Sequence, residues 1–215
     1  MTRVRASVAK NGALQNFLPP TAQAKLISVA NAFGNTGIKK QQGSSLIVYD
    51  CLPLTEGLNQ EQTLKFFKNV NTRQFPFTNI SENKLQVGEA MVLERMYFAI
   101  ISQLDATGEI TNVQTFDAFA TPAFYKSDFE IKQVNNTVVK PAPLTSMKPE
   151  FNREAKSTTY NVFHFDTDIT LQPLLQFEVD LNVPEVTIPT SATLSFYMMC
   201  AIEGAGAIMN PKYNF

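Results

Sequence analysis

The chain contains one histidine, His164, with Asp166 two positions on. In a strand this pair would share a face. Cys51 or Cys200 could then serve as nucleophile in a Cys-His or Ser-His-Asp type of relay. No nucleophile-elbow sequence accompanies them, and a hydrogen-bonded structural or surface histidine is the reading they support. Asp166/Asp168 and Glu178/Asp180 are carboxylate pairs at i, i+2. That spacing could set an acid beside a base for glycoside hydrolysis, or hold a hard cation, but solvated strand faces produce it just as readily. A single histidine excludes a His-x-x-x-His zinc site, and the chain has no Cys-x-x-Cys, P-loop or Gly-x-Gly-x-x-Gly pattern. Gly204-Ala-Gly206 reads as a flexible turn, because no useful helix can follow it to receive a phosphate. Cys51 and Cys200 lie in or beside apolar runs and read as buried, reduced thiols. Asn79-Ile-Ser81 and Asn135-Asn-Thr137 match the glycosylation sequon, a pattern common by chance. The expectation is a protein that is not an enzyme, with no catalytic, cofactor-binding or metal-ligating residue and no small-molecule substrate.

Charge is the stronger signal. Asp50 is the first acidic residue, and the 49 positions before it carry six positive charges, Arg3, Arg5, Lys10, Lys25, Lys39 and Lys40. The other 166 residues (215 − 49) carry 12 Lys and Arg (18 − 6) against 19 Asp and Glu. A net charge of −1 thus joins a basic leader to an acidic body, which implies different surroundings for the two. Arg3, Arg5, Lys10, Lys39 and Lys40 are the candidate contacts of the leader with an interior surface. Phosphate neutralisation would use such residues as point charges. Aromatic interleaving is sparse, which argues against base stacking. The start lacks the apolar region of a secretory signal, and no apolar run is long enough to span a membrane as a helix.

The elements that must carry these residues divide near residue 44. Residues 1–44 read as a basic arm, with a short helix over 21–33 capped by Thr21 and ended by Gly34, then a flexible link over 34–44. From Ser45 onward the pattern is β. Leu175, Phe177, Val179 and Leu181 alternate with Gln176, Glu178, Asp180 and Asn182, the period-two signature of a half-buried strand. Leu194, Phe196, Met198, Cys200 and Ile202 repeat it, with a fairly apolar opposite face that predicts cover on both sides. Residues 158–168 alternate as well. Residues 89–104 satisfy a helical template, and propensity slightly favours helix. We read them as strand because their neighbours are β. Eight prolines from Pro122 to Pro211 break long helices but suit strands joined by loops.

Three stretches together resemble the jelly-roll capsid proteins of small tailless icosahedral bacteriophages. They are Phe75-Pro-Phe-Thr-Asn79 with Asn83-Lys-Leu85 and Glu89 leading into the apolar run, Leu174–Val183, and Ile188–Phe196 through Ile202-Glu-Gly204. The resemblance spans roughly residues 45–205. It implies a mainly β protein, a single jelly-roll β-sandwich of two antiparallel four-stranded sheets over 45–215, preceded by an extended N-terminal arm with a short helix over 1–44. It further implies a capsid subunit that self-assembles into an icosahedral shell in the virion after assembly in the host cytoplasm, with the arm facing inward. The implied partners are copies of itself and other capsid proteins, with genome nucleic acid or an internal membrane reached through the arm. The alternative is a phage spike, fibre or carbohydrate-binding β-sandwich module, and a hydrolase ranks last.

Overall fold

The computed structural model describes residues 41–54, 62–104, 107–115, 126–152, 157–184 and 193–209. They form eleven strands: β1 (Gln41–Leu54), β2 (Gln62–Phe66), β3 (Ala90–Leu104), β4 (Ile110–Thr115), β5 (Asp128–Gln133), β6 (Asn136–Pro143), β7 (Lys148–Asn152), β8 (Ser157–His164), β9 (Thr170–Leu171), β10 (Phe177–Val183) and β11 (Leu194–Met209). The large sheet runs β1-β11-β3-β8-β7, with β4 and β9 also paired to β3, and the small sheet runs β2-β10-β5-β6. Every strand pairing is antiparallel. Without β4, β7 and β9 each sheet has four strands, and the chain crosses between them in the jelly-roll order of paired Greek keys. The three additional strands widen one sheet to seven, against the four expected. Residues 1–40 of the expected arm, with the helix over 21–33 and Arg3, Arg5, Lys10, Lys39 and Lys40, lie outside the described residues, whereas 41–44, expected as the end of a flexible link, pair with β11. β1 begins at Gln41, four residues before the strand start expected at Ser45.

The run at 90–104 is a strand, as its neighbours demanded. Ala90–Met91 pair with Ala207–Gly206 and Ser102 pairs with Phe196, so β11 flanks it along its length. Met96, Phe98 and Ile100 join the core while Val92 and Ala99 are fully buried on the other side. A helix would leave one of those apolar sets in water. Burial on both faces therefore outweighs the helical propensity of Glu, Ala, Met and Leu, which differ from strand formers by only about 0.7 kcal/mol per residue or less.

Gly204 and Gly206 correct the expectation of a flexible turn. Both lie inside β11, between β1 and β3. The ladder shifts register between Glu203 and Gly204, and a Cβ on Gly204 would fall 1.9 Å from the Val92 carbonyl oxygen. The glycine is there because two backbones approach too closely for a side chain.

Between the sheets the core is aromatic. Phe66, Phe98, Phe129, Phe163 and Phe165 form a continuous row, with successive ring centroids 5.7, 6.0, 5.1 and 5.2 Å apart. Phe98–Phe129 and the two contacts after it are edge-to-face, the geometry that ring quadrupoles favour. β1 contributes Leu46, Val48, Leu52 and Leu54 to the same core. Alternation places Asp50 in that inward row, where it is 0 % exposed.

Candidate functional site

The residues singled out for catalysis do not converge. His164 ends β8, opposite Arg95 of β3, and is exposed, as are Asp166 and Asp168. Cys51 and Cys200 are free thiols, both buried. Burial, with Asp50 nearby, pushes the Cys51 thiol up to about 12 and Cys200 well above its ordinary value. Thiols held neutral in this way are poor nucleophiles. Glu178 and Asp180 lie on the outer face of β10, among lysines. Lys68 reaches Glu178 at 3.6 Å, and Asp180 Oδ2 accepts from Lys65 at 3.2 Å and Lys132 at 2.7 Å. Lys132 also binds Glu130 at 2.6 Å, and Asp180 and Glu130 hold its ammonium above its ordinary value. Both carboxylates are engaged by lysines, and this face is a cross-strand ionic ladder. Among the described residues no group of three or more metal-ligating side chains occurs.

The Phe75–Asn79 motif has a definite position. β1 is an edge strand of the large sheet, and an open edge invites pairing with another chain. The motif covers it. Cys51 donates its backbone N–H to the Phe77 carbonyl at 2.8 Å, and Thr78 Oγ1 donates to the Tyr49 carbonyl at 3.0 Å. Asn79 imitates a strand residue with its side chain: Nδ2 donates to the Ile47 carbonyl at 2.7 Å and Oδ1 accepts from the Tyr49 N–H at 2.8 Å. The Phe75–Pro76 peptide bond is cis, and the Phe77 ring packs on Tyr197 of β11 with centroids 4.8 Å apart. That contact supplies part of the second cover predicted for the outer face of β11. Phe75 itself is 84 % exposed.

The covering segment is anchored by Asp50. Its carboxylate accepts from Arg73 Nε and Nη2, both at 2.6 Å, and from the Phe67 N–H at 2.6 Å. The Phe67 bond holds a residue with φ of 65°, in the left-handed region. Burial raises the Asp50 carboxyl above its usual range, while Arg73 and the Phe67 N–H act to lower it. Sequence reasoning marked Asp50 only as the first acid of the chain. The available signal was its place in the alternating row Leu46, Val48, Asp50, Leu52, where an acid on the apolar face requires a buried partner.

Two clefts lie at opposite ends of the small sheet. One, of about 440 Å³, adjoins the start of β2 and the end of β10, with Thr63, Asp128 and Asn182 in its lining. Asn182 Nδ2 donates to Asp128 at 2.7 Å and its Oδ1 accepts from Thr63 at 2.8 Å, so these groups satisfy one another. The other cleft, of about 330 Å³, lies where the residues after β2, the β5–β6 turn and the approach to β10 meet, and includes Asn69, Asn135 and Gln176.

Comparison of the chain with protein-family models, with curated proteins and with solved structures returned no match in any of the three.

Proposed function

We propose that this chain is a structural subunit that self-associates into a closed shell, a capsid protein of the virion, with residues 1–40 directed to the interior. The observation that carries the reading is the strand order, β1-β11-β3-β8 facing β2-β10-β5-β6, the order of a single jelly roll. Because one fold hosts many activities, this is an argument by fold-level analogy, joined to the basic-leader, acidic-body charge division. Exposed apolar side chains support it: Val87 at 67 %, Leu174 at 52 %, Val134 at 48 % and Leu175 at 36 %. Hydrogen-bonded connections bring them to one end of the sandwich, since Leu174 N–H donates to Leu85 and Val134 N–H to Gln176. Contacts with like copies would bury such a surface, and symmetry with multivalency would turn a modest interface into a stable particle.

Light scattering and negative-stain imaging of the purified full chain test the reading. Large symmetric particles are expected, and removal of residues 1–40 should leave a folded β-domain that no longer forms them. A strictly monomeric full chain over a wide concentration range would overturn the shell reading. Normal particles from the truncated chain would overturn the role given to the arm.

A further inference from the structure

We propose that the 330 Å³ cleft at the β5–β6 turn binds an uncharged sugar unit of a glycan. Val134 lines the cleft and also belongs to the apolar surface assigned to subunit contact, so the sugar site is a property of the free subunit, measured at protein concentrations at which particles do not form. Four residues that carry side-chain amides, Asn69, Asn83, Asn135 and Gln176, line this one concavity. None of their side chains hydrogen-bonds within the described residues, whereas Asn182 at the opposite cleft is engaged on both sides. Each free amide offers two N–H donors and two acceptor lone pairs. That dual capacity matches sugar hydroxyls, which also donate and accept. The volume is at the small end of the range of about 300–1,000 Å³ for ligand pockets, enough for a terminal sugar unit rather than a long chain.

Charge selects the ligand class. Lys68 and Lys132 line the cleft, but Lys68 is paired with Glu178, and Lys132 with Glu130 and Asp180. Uncompensated cations favour a phosphate or nucleotide, and uncompensated carboxylates favour a cationic ligand. Neither excess is present, which leaves a neutral, hydroxyl-rich molecule. Phe177 also borders the cleft, with its ring packed in the core against Phe67, ring centroids 5.0 Å apart.

Backbone conformation points to the same place. The described residues include five non-glycine positions with positive φ: Phe67, Glu82, Val134, Asn135 and Leu174. Val134 and Asn135 line the cleft, and the others lie within two residues of Lys68, Asn83 or Gln176. Val134 at φ 47° is the most unfavourable, because a β-branched side chain crowds its own backbone there. With Asn135 at φ 64° it forms the two-residue turn between paired Gln133 and Asn136, which projects the Asn135 amide. Such strain gathers where a surface is shaped for binding rather than for stability.

The test uses the full chain with free glucose, galactose, mannose and N-acetylglucosamine as probes, read by saturation-transfer NMR and titration calorimetry. N-acetylneuraminic acid and inorganic phosphate serve as anionic comparisons. At least one neutral sugar is expected to bind in the millimolar range, unaffected by phosphate. N135G, which keeps the turn geometry, and Q176A should each weaken binding by about tenfold, the loss of roughly one good hydrogen bond. T63A, at the other end of the sheet, should leave it unchanged. Thermal melts confirm that each variant is folded. Absence of binding by all four neutral sugars, competition by phosphate, or affinities unmoved in N135G and Q176A would each overturn the proposal.

Discussion

Replacing Arg73 by Ala tests whether Asp50 anchors the cover over the β1 edge. Asp50 is 0 % exposed, and the Arg73 side chain is only 15 % exposed. Arg73 supplies two of the three hydrogen bonds to this carboxylate, each 2.6 Å long. Removing one partner of a buried ion pair leaves an uncompensated charge and costs about 3–5 kcal/mol. For a domain of this size that corresponds to a fall in Tm of about 6–20 °C, at about 2–4 °C per kcal/mol. The companion variant is D50N/R73A, which removes the charge while the introduced amide oxygen can still accept from the Phe67 N–H. It should be more stable than R73A alone at pH 7, giving a clear coupling in the double-mutant cycle. The pH dependence carries a sign. Burial raises the folded-state value for Asp50 above 3.8, and loss of Arg73 removes an opposing influence. The native state of R73A therefore takes up the proton first as the pH falls. Its deficit is fully present above the raised folded value and is relieved as the pH drops toward 3.8, so the gap to D50N/R73A closes in acid. Denaturant unfolding at several pH values, at protein concentrations below assembly, measures this. An R73A deficit under about 1 kcal/mol, additive single variants, or a gap independent of pH would refute the reasoning.

Other outcomes follow from the same geometry. G204A should destabilise by about 3 kcal/mol or prevent folding, because its methyl would meet the Val92 backbone 1.9 Å away, and calorimetry or soluble yield reads this. F98A removes the second ring in the core row and should cost about 3–5 kcal/mol in denaturant unfolding. V134N should instead raise Tm by about 2–4 °C, since Asn tolerates the left-handed region that Val resists. Neither Cys51 nor Cys200 should react with a maleimide at pH 7 until the chain unfolds, and rapid labelling of the native protein, detected by mass spectrometry, would contradict their burial.

The alternation of Phe177, Val179 and Leu181 located β10, but the strand begins only at Phe177 and leaves Leu175, read on the same inward face, 36 % exposed. The row from Leu194 to Ile202 likewise defined β11, and its second cover was legible from Tyr197, Met199 and Ala201. The end of that strand was not. Gly204 and Gly206 carry turn chemistry locally, and only the approach of β1 and β3 makes them strand residues. Asp50 was conspicuous in charge but silent in role, because its partner Arg73 is contributed by a separate loop.

Residue order along the chain was sufficient for whatever is periodic: the β class, which side chains face inward, the burial of both thiols, and the break in charge at Asp50. These depend on residues close together in the chain, where a strand's two-residue repeat converts order into facing. Three-dimensional packing was needed for the seven-and-four division of strands, the cover over the β1 edge, the pairing of Glu178 and Asp180 with lysines, and the meeting of four amide-bearing residues in one cleft. Each joins segments tens of residues apart. Such contacts form because the two sheets must bury one common core, and no local pattern encodes which distant loops that packing will bring together.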